Sequence, residues 1–95
     1  MTFRSEDLRR AVASLECMHC GVEGRTQAAH SNQQRDGKGM GHKASDAALA
    51  ALCVECHSEI DQGRALSKVQ RIEIFEDAHR KTMIALIERG KLRVA

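Results

Sequence analysis

Apolar residues near the N-terminus recur at the spacing of a helix. They follow a serine and two acids and stand at Leu8, Ala11, Val12 and Leu15. Ser5 can cap the first turn, and the acids carry negative charge where the helix dipole favours it. The pattern therefore predicts a short amphipathic helix over residues 6–15.

A longer apolar stripe of the same kind runs through the last third of the chain. Its members are Val69, Ile72, Phe75, His79, Met83 and Leu86. Ser67 precedes the stripe, Gly90 follows it, and no glycine or proline lies between residues 68 and 89. These features predict a long C-terminal helix. His79 lies on its apolar side, where a histidine is more often part of the core than a ligand.

The middle of the chain has shorter segments. Residues 25–30 and 47–52 are predicted to be strands, and residues 31–46, which contain three glycines, a long loop. A long loop in so small a domain is usually functional. Val54–Gln62 is predicted to be a helix that Gly63 ends. Together these elements predict an α+β fold, mostly helical, in one domain over residues 1–95.

The cysteines are the strongest chemical signal. All four lie in two Cys-x-x-Cys motifs, at residues 17–20 and 53–56, and His57 follows the second motif directly. Two intervening residues let both thiolates of a pair turn toward one point, and two pairs supply the four sulfurs of a tetrahedral zinc site. The thirty-two residues between the pairs exceed the spacing of a zinc finger. We expect a structural zinc ion bound by Cys17, Cys20, Cys53 and Cys56.

The second motif with its histidine is also the attachment pattern of a c-type haem. That function requires export, and the polar start of the chain does not resemble a signal peptide. It also leaves the first cysteine pair unexplained. No apolar run approaches the length of a membrane span. The expected compartment is the reducing cytoplasm, where paired cysteines more often bind metal than form disulfides.

Composition is consistent with a metal that stabilises the fold. The chain has 95 residues and only two aromatic residues, Phe3 and Phe75. A domain of this size has a marginal core, so a structural metal makes energetic sense. The core is predicted to consist of Leu, Ile, Val, Ala and Met. The lack of aromatic residues argues against proteins that stack single-stranded bases on aromatic side chains.

Two histidines outside the cysteine motifs are candidates for chemistry. His57 and Asp61 stand four residues apart on one helical face, where they can bind one divalent cation or form an ordinary surface pair. His30 ends the predicted first strand, with Asn32 two residues later on the same side if the extension continues. Because a flexible cationic loop follows, His30 is a candidate general base.

Basic residues stand in the long loop and in the last third of the chain, although the formal net charge is only +2. Arg35, Lys38 and Lys43 stand among glycines that would let backbone amides approach a phosphate. The loop lacks the frame of a P-loop, and a mobile connector is the alternative interpretation. Further cations alternate with acids in the last third and fit either a phosphate-facing surface or a solvated helix: Arg64, Lys68, Arg71, Arg80, Lys81, Arg89, Lys91 and Arg93.

Taken together, these motifs resemble the HNH, or ββα-metal, nuclease superfamily. Its zinc-bearing members have a first Cys-x-x-Cys, a histidine on the first strand and an ending Leu-Cys-x-x-Cys-His, which here starts at Leu52. The wider pattern is similar to small phage and prophage proteins classed as HNH nucleases and covers residues 15–90. It includes Ala29-His30-Ser31-Asn32, Gly37-Lys38-Gly39-Met40-Gly41, Asp46 and Glu59-Ile60-Asp61-Gln62-Gly63.

The resemblance implies a ββα-metal finger stapled by zinc and a metal-dependent hydrolysis of DNA. His30 would be the general base that activates water. His57 would bind a second, catalytic cation, which could be Mg²⁺, Mn²⁺, Ni²⁺ or Zn²⁺. Cationic side chains would hold the DNA backbone. Phage or host recombination and replication proteins would be partners in the host cytoplasm.

The chain also departs from the superfamily pattern. Ala29 stands where many members have Asp, and alanines replace the usual middle Asn before the second cysteine pair. Asp46 is the nearest polar residue that could take either role, and Asp61 is a further candidate ligand. Because of these gaps, a non-catalytic zinc module that binds DNA or a protein is the alternative function, and a zinc-stabilised interaction protein without nucleic acid is a third. The candidate catalytic residues are His30, Asn32 and Asp46.

Overall fold

The computed structural model describes residues 3–39 and 41–94. Within them the chain forms three α-helices, namely α1 (Glu6–Ala13), α2 (Val54–Gln62) and α3 (Lys68–Glu88). It also forms two strands, β1 (Thr26–His30) and β2 (Leu49–Cys53). The predicted α+β class, the short N-terminal helix and the long C-terminal helix are confirmed. Four residues of the predicted domain lie outside the described residues: Met1, Thr2, Met40 and Ala95.

Two element ends differ by two residues from their predicted positions, and hydrogen bonds nearby explain both differences. The helix α1 ends early because the amide of Leu15 bonds to the carbonyl of Val12, three residues back, at 3.1 Å. This tighter spacing closes the last turn of a helix. The strand β2 begins late because Asp46–Ala48 form a 3-10 turn that the hydroxyl of Ser45 caps. The other predicted ends are correct to within one residue.

The predicted long loop over residues 31–46 is more ordered than expected. The buried hydroxyl of Ser31 donates to Oδ2 of Asp36 at 2.6 Å, and the amide of Ser45 donates to the carbonyl of Asp36 at 2.8 Å. Gly39 and His42 form an isolated bridge. These bonds fold the segment back on itself and bring its end beside its start.

The two strands form an antiparallel pair in which His30 lies opposite Leu49 and Thr26 opposite Cys53. Alanine fills the middle of both strands, and Ala50 and Ala51 are fully buried. Alanine is a poor strand former, so packing rather than propensity holds these strands. Its small side chain lets helices lie close to both faces of the sheet.

One face of the sheet packs on α2 and the first half of α3. Ala29, Ala50 and Leu52 form a cluster there with Ile60 and Phe75. The interpretation that the core lacks aromatic residues is therefore wrong, because Phe75 is 7% exposed.

The other face packs on α1 and the second half of α3. Leu49 and Ala51 contact a cluster that contains Val12, Leu15 and Leu86. The helix α3 thus crosses the sheet and contributes to both cores. Because α1 and α2 lie on opposite faces, side chains that alternate along β1 meet different helices.

Specific bonds fix α3 at its ends and its middle. Ser67 and Gln70 form a capping box at its start. Gly90 has φ of 71°, a conformation that favours glycine after a helix. In the middle, the buried hydroxyl of Thr82 accepts from the amide of Ala51 at 2.9 Å. The predicted stripe fails at Val69, which is 64% exposed because the sheet does not extend to the first turn of α3.

No helix within the described residues has both the length and the apolar character needed to cross a membrane.

The two neighbouring residues Leu86 and Ile87 test this packing. Leu86 is 0% exposed and Ile87 is 59% exposed. Leu86→Ala should lower the free energy of unfolding by about 2–5 kcal/mol, because it leaves a cavity in the core. Ile87→Ala should change it by less than about 1 kcal/mol. Urea denaturation of the zinc-loaded proteins measures both values, and equal losses would contradict the assigned orientation of α3.

Candidate functional site

The four cysteine sulfurs meet at one point. All four Sγ atoms lie within 4.8 Å of one another, and all four cysteines are free of disulfides. The Sγ atoms of Cys20 and Cys53 are 3.7 Å apart. Zinc–sulfur bonds of 2.3 Å in a tetrahedron give sulfur–sulfur edges of about 3.8 Å. The donor set and its dimensions therefore fit a tetrathiolate zinc ion, as the sequence predicts.

Each Cys-x-x-Cys motif is shaped by its own backbone. The amide of Cys20 donates to the sulfur of Cys17 at 3.5 Å, and the amide of Cys56 donates to the sulfur of Cys53 at 3.4 Å. Cys53 is also the last residue of β2 and the cap of α2. The amide of Met18 donates to β2 at 2.8 Å, which ties the first motif to the second. The sulfurs thus converge because one strand positions both motifs.

The thiols cannot all ionise without a cation. Burial by itself would raise the pKa of Cys17, but backbone amides, that of Cys20 first among them, lower it to about 6. Burial raises the pKa of Cys56, and the sulfurs of Cys53, Cys20 and Cys17 raise it further. Burial likewise raises the pKa of Cys53. One thiolate forms readily and its neighbours resist, so a bound cation is needed to hold four negative sulfurs together.

Removal of a sulfur tests the zinc site. The protein should contain one structural zinc ion per chain held by the four sulfurs, and Cys20→Ser should release it at chelator concentrations that wild type withstands. His19→Ala is the matched control, because His19 lies in the same motif, is exposed and is not among the clustered donors. Metal content after chelation and the melting temperature are the readouts, since zinc binding contributes to folding. Retention of zinc by Cys20→Ser would exclude a four-sulfur site.

His57 belongs to a second polar cluster. Its Nδ1 lies 2.8 Å from Oε1 of Gln27 on β1, and its Nε2 lies 3.2 Å from Oδ2 of Asp61. Asn32 donates to the other oxygen of Asp61. The predicted pairing of His57 and Asp61 is therefore present, with Asn32 beside it.

The hydrogen bond to Gln27 decides what the other nitrogen of His57 can do. When Nδ1 carries the proton that the Gln27 oxygen accepts, Nε2 of the neutral ring presents a lone pair. That lone pair then faces an Asp61 oxygen, and two acceptors repel unless a proton or a metal cation lies between them. A histidine whose far nitrogen is fixed by a polar partner is the usual arrangement of a metal ligand.

His30 belongs to a third cluster around a buried carboxylate. Its Nε2 lies 2.7 Å from Oδ1 of Asp46, whose side chain is 0% exposed. The amide of Ser5 donates to Oδ2 at 2.8 Å, and Arg9 forms an ion pair with the same oxygen. Burial by itself would raise the pKa of Asp46, but bonds from Ser5, His30 and Arg9 lower it to about 2. Asp46 is thus ionised and holds the imidazole of His30.

His30 and His57 point to opposite faces of the sheet. Ala29 lies in the cluster on the α2 face, and Gln27, two residues away, contacts His57 on that face. Ala28 packs on the α1 face, and His30 follows the same alternation. The predicted site residues therefore divide into two groups, one around Asp46 and one around Asp61.

Asn32 does not stay on the side of His30 as expected. Its side chain bonds to Asp61, whereas His30 bonds to Asp46. The extension ends at His30, and the next residue, Ser31, turns inward and is buried. This turn carries the chain from one face of the sheet to the other.

The three basic side chains of the long loop do not all lie at the same site. Arg35 forms an ion pair with Glu76 and lines a cavity of about 600 Å³ that Asn32 and Asp61 also line. Lys38 and Lys43 are exposed and do not line that cavity. Their proposed contact with nucleic acid stays a prediction.

Sequence reasoning missed two contributors. Gln27 and Arg9 lie in segments without a motif, and their roles follow from the partners that the fold places beside them. His79 was expected to be structural, and its Nδ1 lies 2.6 Å from the carbonyl of Leu49.

Comparison of the chain with protein-family models, with curated proteins and with solved structures found no match.

The buried carboxylate gives a stability test. Asp46→Asn should lower the free energy of unfolding by about 2 kcal/mol, because it removes the charge that four donors face. The loss is limited since Arg4 and Arg9 are each more than a third exposed and regain water. Asp77→Asn removes a half-exposed partner of Lys81 and should cost less than about 0.5 kcal/mol. Urea denaturation at neutral pH compares the two, and a loss no larger for Asp46→Asn would contradict its role.

Proposed function

We propose that this protein is a metal-dependent endonuclease of the HNH type that hydrolyses phosphodiester bonds in DNA. The observation that carries the proposal is the pairing of His57 with Asp61 at a cationic cavity. Asn32 and Gln27 hold the two side chains in place. The zinc site serves this arrangement because its cysteines begin the helix that carries His57 and Asp61.

The donor set of this pair suits a divalent cation. An imidazole nitrogen and a carboxylate oxygen each bind zinc at about 2.0–2.2 Å, so two donors within about 4 Å can share one ion. The separation of 3.2 Å between Nε2 of His57 and Oδ2 of Asp61 meets that condition. Mg²⁺, Mn²⁺, Ni²⁺ or Zn²⁺ bound there would neutralise charge on a phosphate and on the leaving oxygen.

His30 and Asp46 supply the acid–base part of the proposal. The Nε2–H of His30 donates to the Asp46 carboxylate, so Nδ1 has the lone pair that can accept a proton from water. The negative Asp46 then stabilises the imidazolium that forms. Because His30 and His57 lie on opposite faces, a substrate cleaved with both histidines must contact both faces of the sheet.

The position of His30 and His57 on opposite faces of the sheet favours a second candidate function. If no phosphate reaches both histidines, the chain is a non-catalytic zinc module that binds DNA through its cations. Phage or host recombination and replication proteins remain the proposed partners in either case, with the host cytoplasm as the proposed compartment.

Nicking of supercoiled plasmid DNA tests the nuclease proposal. Wild type should nick DNA with at least one of Mg²⁺, Mn²⁺, Ni²⁺ and Zn²⁺. His57→Ala and His30→Ala should each lower the rate by about 100-fold or more, because the first removes a metal ligand and the second a general base. His42→Ala is the control, since His42 is exposed and outside both clusters. Each variant should retain its structural zinc.

Three outcomes count against the nuclease. Wild type that is inert with all four cations removes the enzyme. Loss of folding in His30→Ala makes that histidine structural. One metal per chain at saturation, with DNA binding that weakens as salt increases, supports the binding module instead.

A further inference from the structure

A cavity lies between three segments of the chain. The chain after β1 forms one wall, α2 a second, and the first turns of α3 a third. Its volume is about 600 Å³. Three cationic side chains and one carboxylate line it, namely Arg35, Lys68, Arg71 and Asp61. The carboxylate is the Asp61 of the proposed metal pair, so the cavity opens beside that pair.

The cations of this cavity differ in their partners. Arg35 is neutralised by its ion pair with Glu76, which Gln33 also contacts at 3.3 Å. Within the described residues, Lys68 and Arg71 have no carboxylate partner. The Nε of Arg71 is buried and has no hydrogen-bond acceptor there. A buried charged donor without an acceptor costs free energy unless a ligand supplies one.

The positions of the two cations are also unfavourable for α3 itself. Lys68 is the first residue of the helix and Arg71 lies one turn later, and no acid stands in the first turn. Positive charge at the start of a helix opposes its dipole. An anion bound between these side chains would offset the repulsion between their positive charges and the positive end of the helix dipole. The dipole of the 21-residue helix would itself attract the anion.

Amide side chains and apolar side chains form the rest of the wall. Ile60, Ile72 and Phe75 line the cavity beside the two cations. Apolar walls lower the local dielectric constant and strengthen the attraction between a cation and an anion. The cavity is thus suited to an anion of more than one oxygen, which an arginine can bind with two parallel hydrogen bonds.

We propose that Lys68 and Arg71 form a phosphate-binding subsite in this cavity, and that its ligand is a backbone phosphate of a nucleic-acid strand. The assignment of the strand rests on the proposed function, whereas the phosphate subsite does not. The bound phosphate lies in the cavity that Asp61 also lines and positions the strand along it.

Binding measurements on the zinc-loaded full chain, without any further divalent cation, test the subsite. The probes are a short single-stranded DNA oligomer and, separately, inorganic phosphate. Arg71→Gln and Lys68→Gln should each weaken binding of the oligomer about tenfold, the size of one lost charge-assisted contact. The salt dependence of binding should also fall by about one unit of slope for each.

Arg80→Gln is the matched control, because Arg80 is an exposed cation on the same helix outside the cavity. It should weaken binding less than twofold. Lys68 is exposed, so Lys68→Gln carries the test if Arg71→Gln fails to fold.

The outcomes separate this inference from the nuclease proposal. Unchanged affinity in both variants, or an equal loss in Arg80→Gln, overturns the subsite. A loss confined to inorganic phosphate overturns the strand as ligand. Binding that depends on Arg71 in a protein that never cleaves DNA supports the subsite and removes only the nuclease.

Discussion

The convergence of four sulfur atoms within 4.8 Å of one another is the constraint on which the other features depend. Cys53 ends β2 and begins α2, so the position of its sulfur fixes where that helix starts and which way it runs. His57 and Asp61 then take their places one turn apart on the helix. Because neighbouring thiolates repel one another, a cation bound by the four sulfurs would hold this corner of the fold together.

Small side chains make the second constraint. Alanine at the middle of both strands lets α1 and α2 pack on opposite faces of a sheet that has only two strands. Successive residues of β1 therefore face opposite sides of the sheet. Gln27 contacts His57 on one side, and His30 contacts Asp46 on the other. The polar clusters are separated by the sheet itself. A nuclease site that used both histidines would require a substrate that contacts both faces of the sheet.

Sequence patterns anticipated much of the local structure. The α2 bounds follow from the second cysteine pair and Gly63, and the α3 bounds from Ser67 and Gly90. Spacing also paired His57 with Asp61, because an interval of four residues on a helix fixes neighbours without any tertiary contact. The exposed Val69 escaped prediction because the helical stripe cannot tell where the sheet beneath it ends, whereas Phe75, a member of the same stripe, is buried.

What the sequence by itself determined is the content of the sites: four thiols in two motifs, a helical His–Asp pair and cations around a glycine-rich loop. Only the tertiary structure decided which of these meet. It buried Asp46 beneath His30 and Arg9, and it turned Asn32 toward Asp61. Among the residues that the structure describes, it left the Nε of Arg71, which lines a cavity, without an acceptor. The reason is physical, since periodicity fixes contacts within one element, whereas contacts between elements depend on how both faces of the sheet are covered.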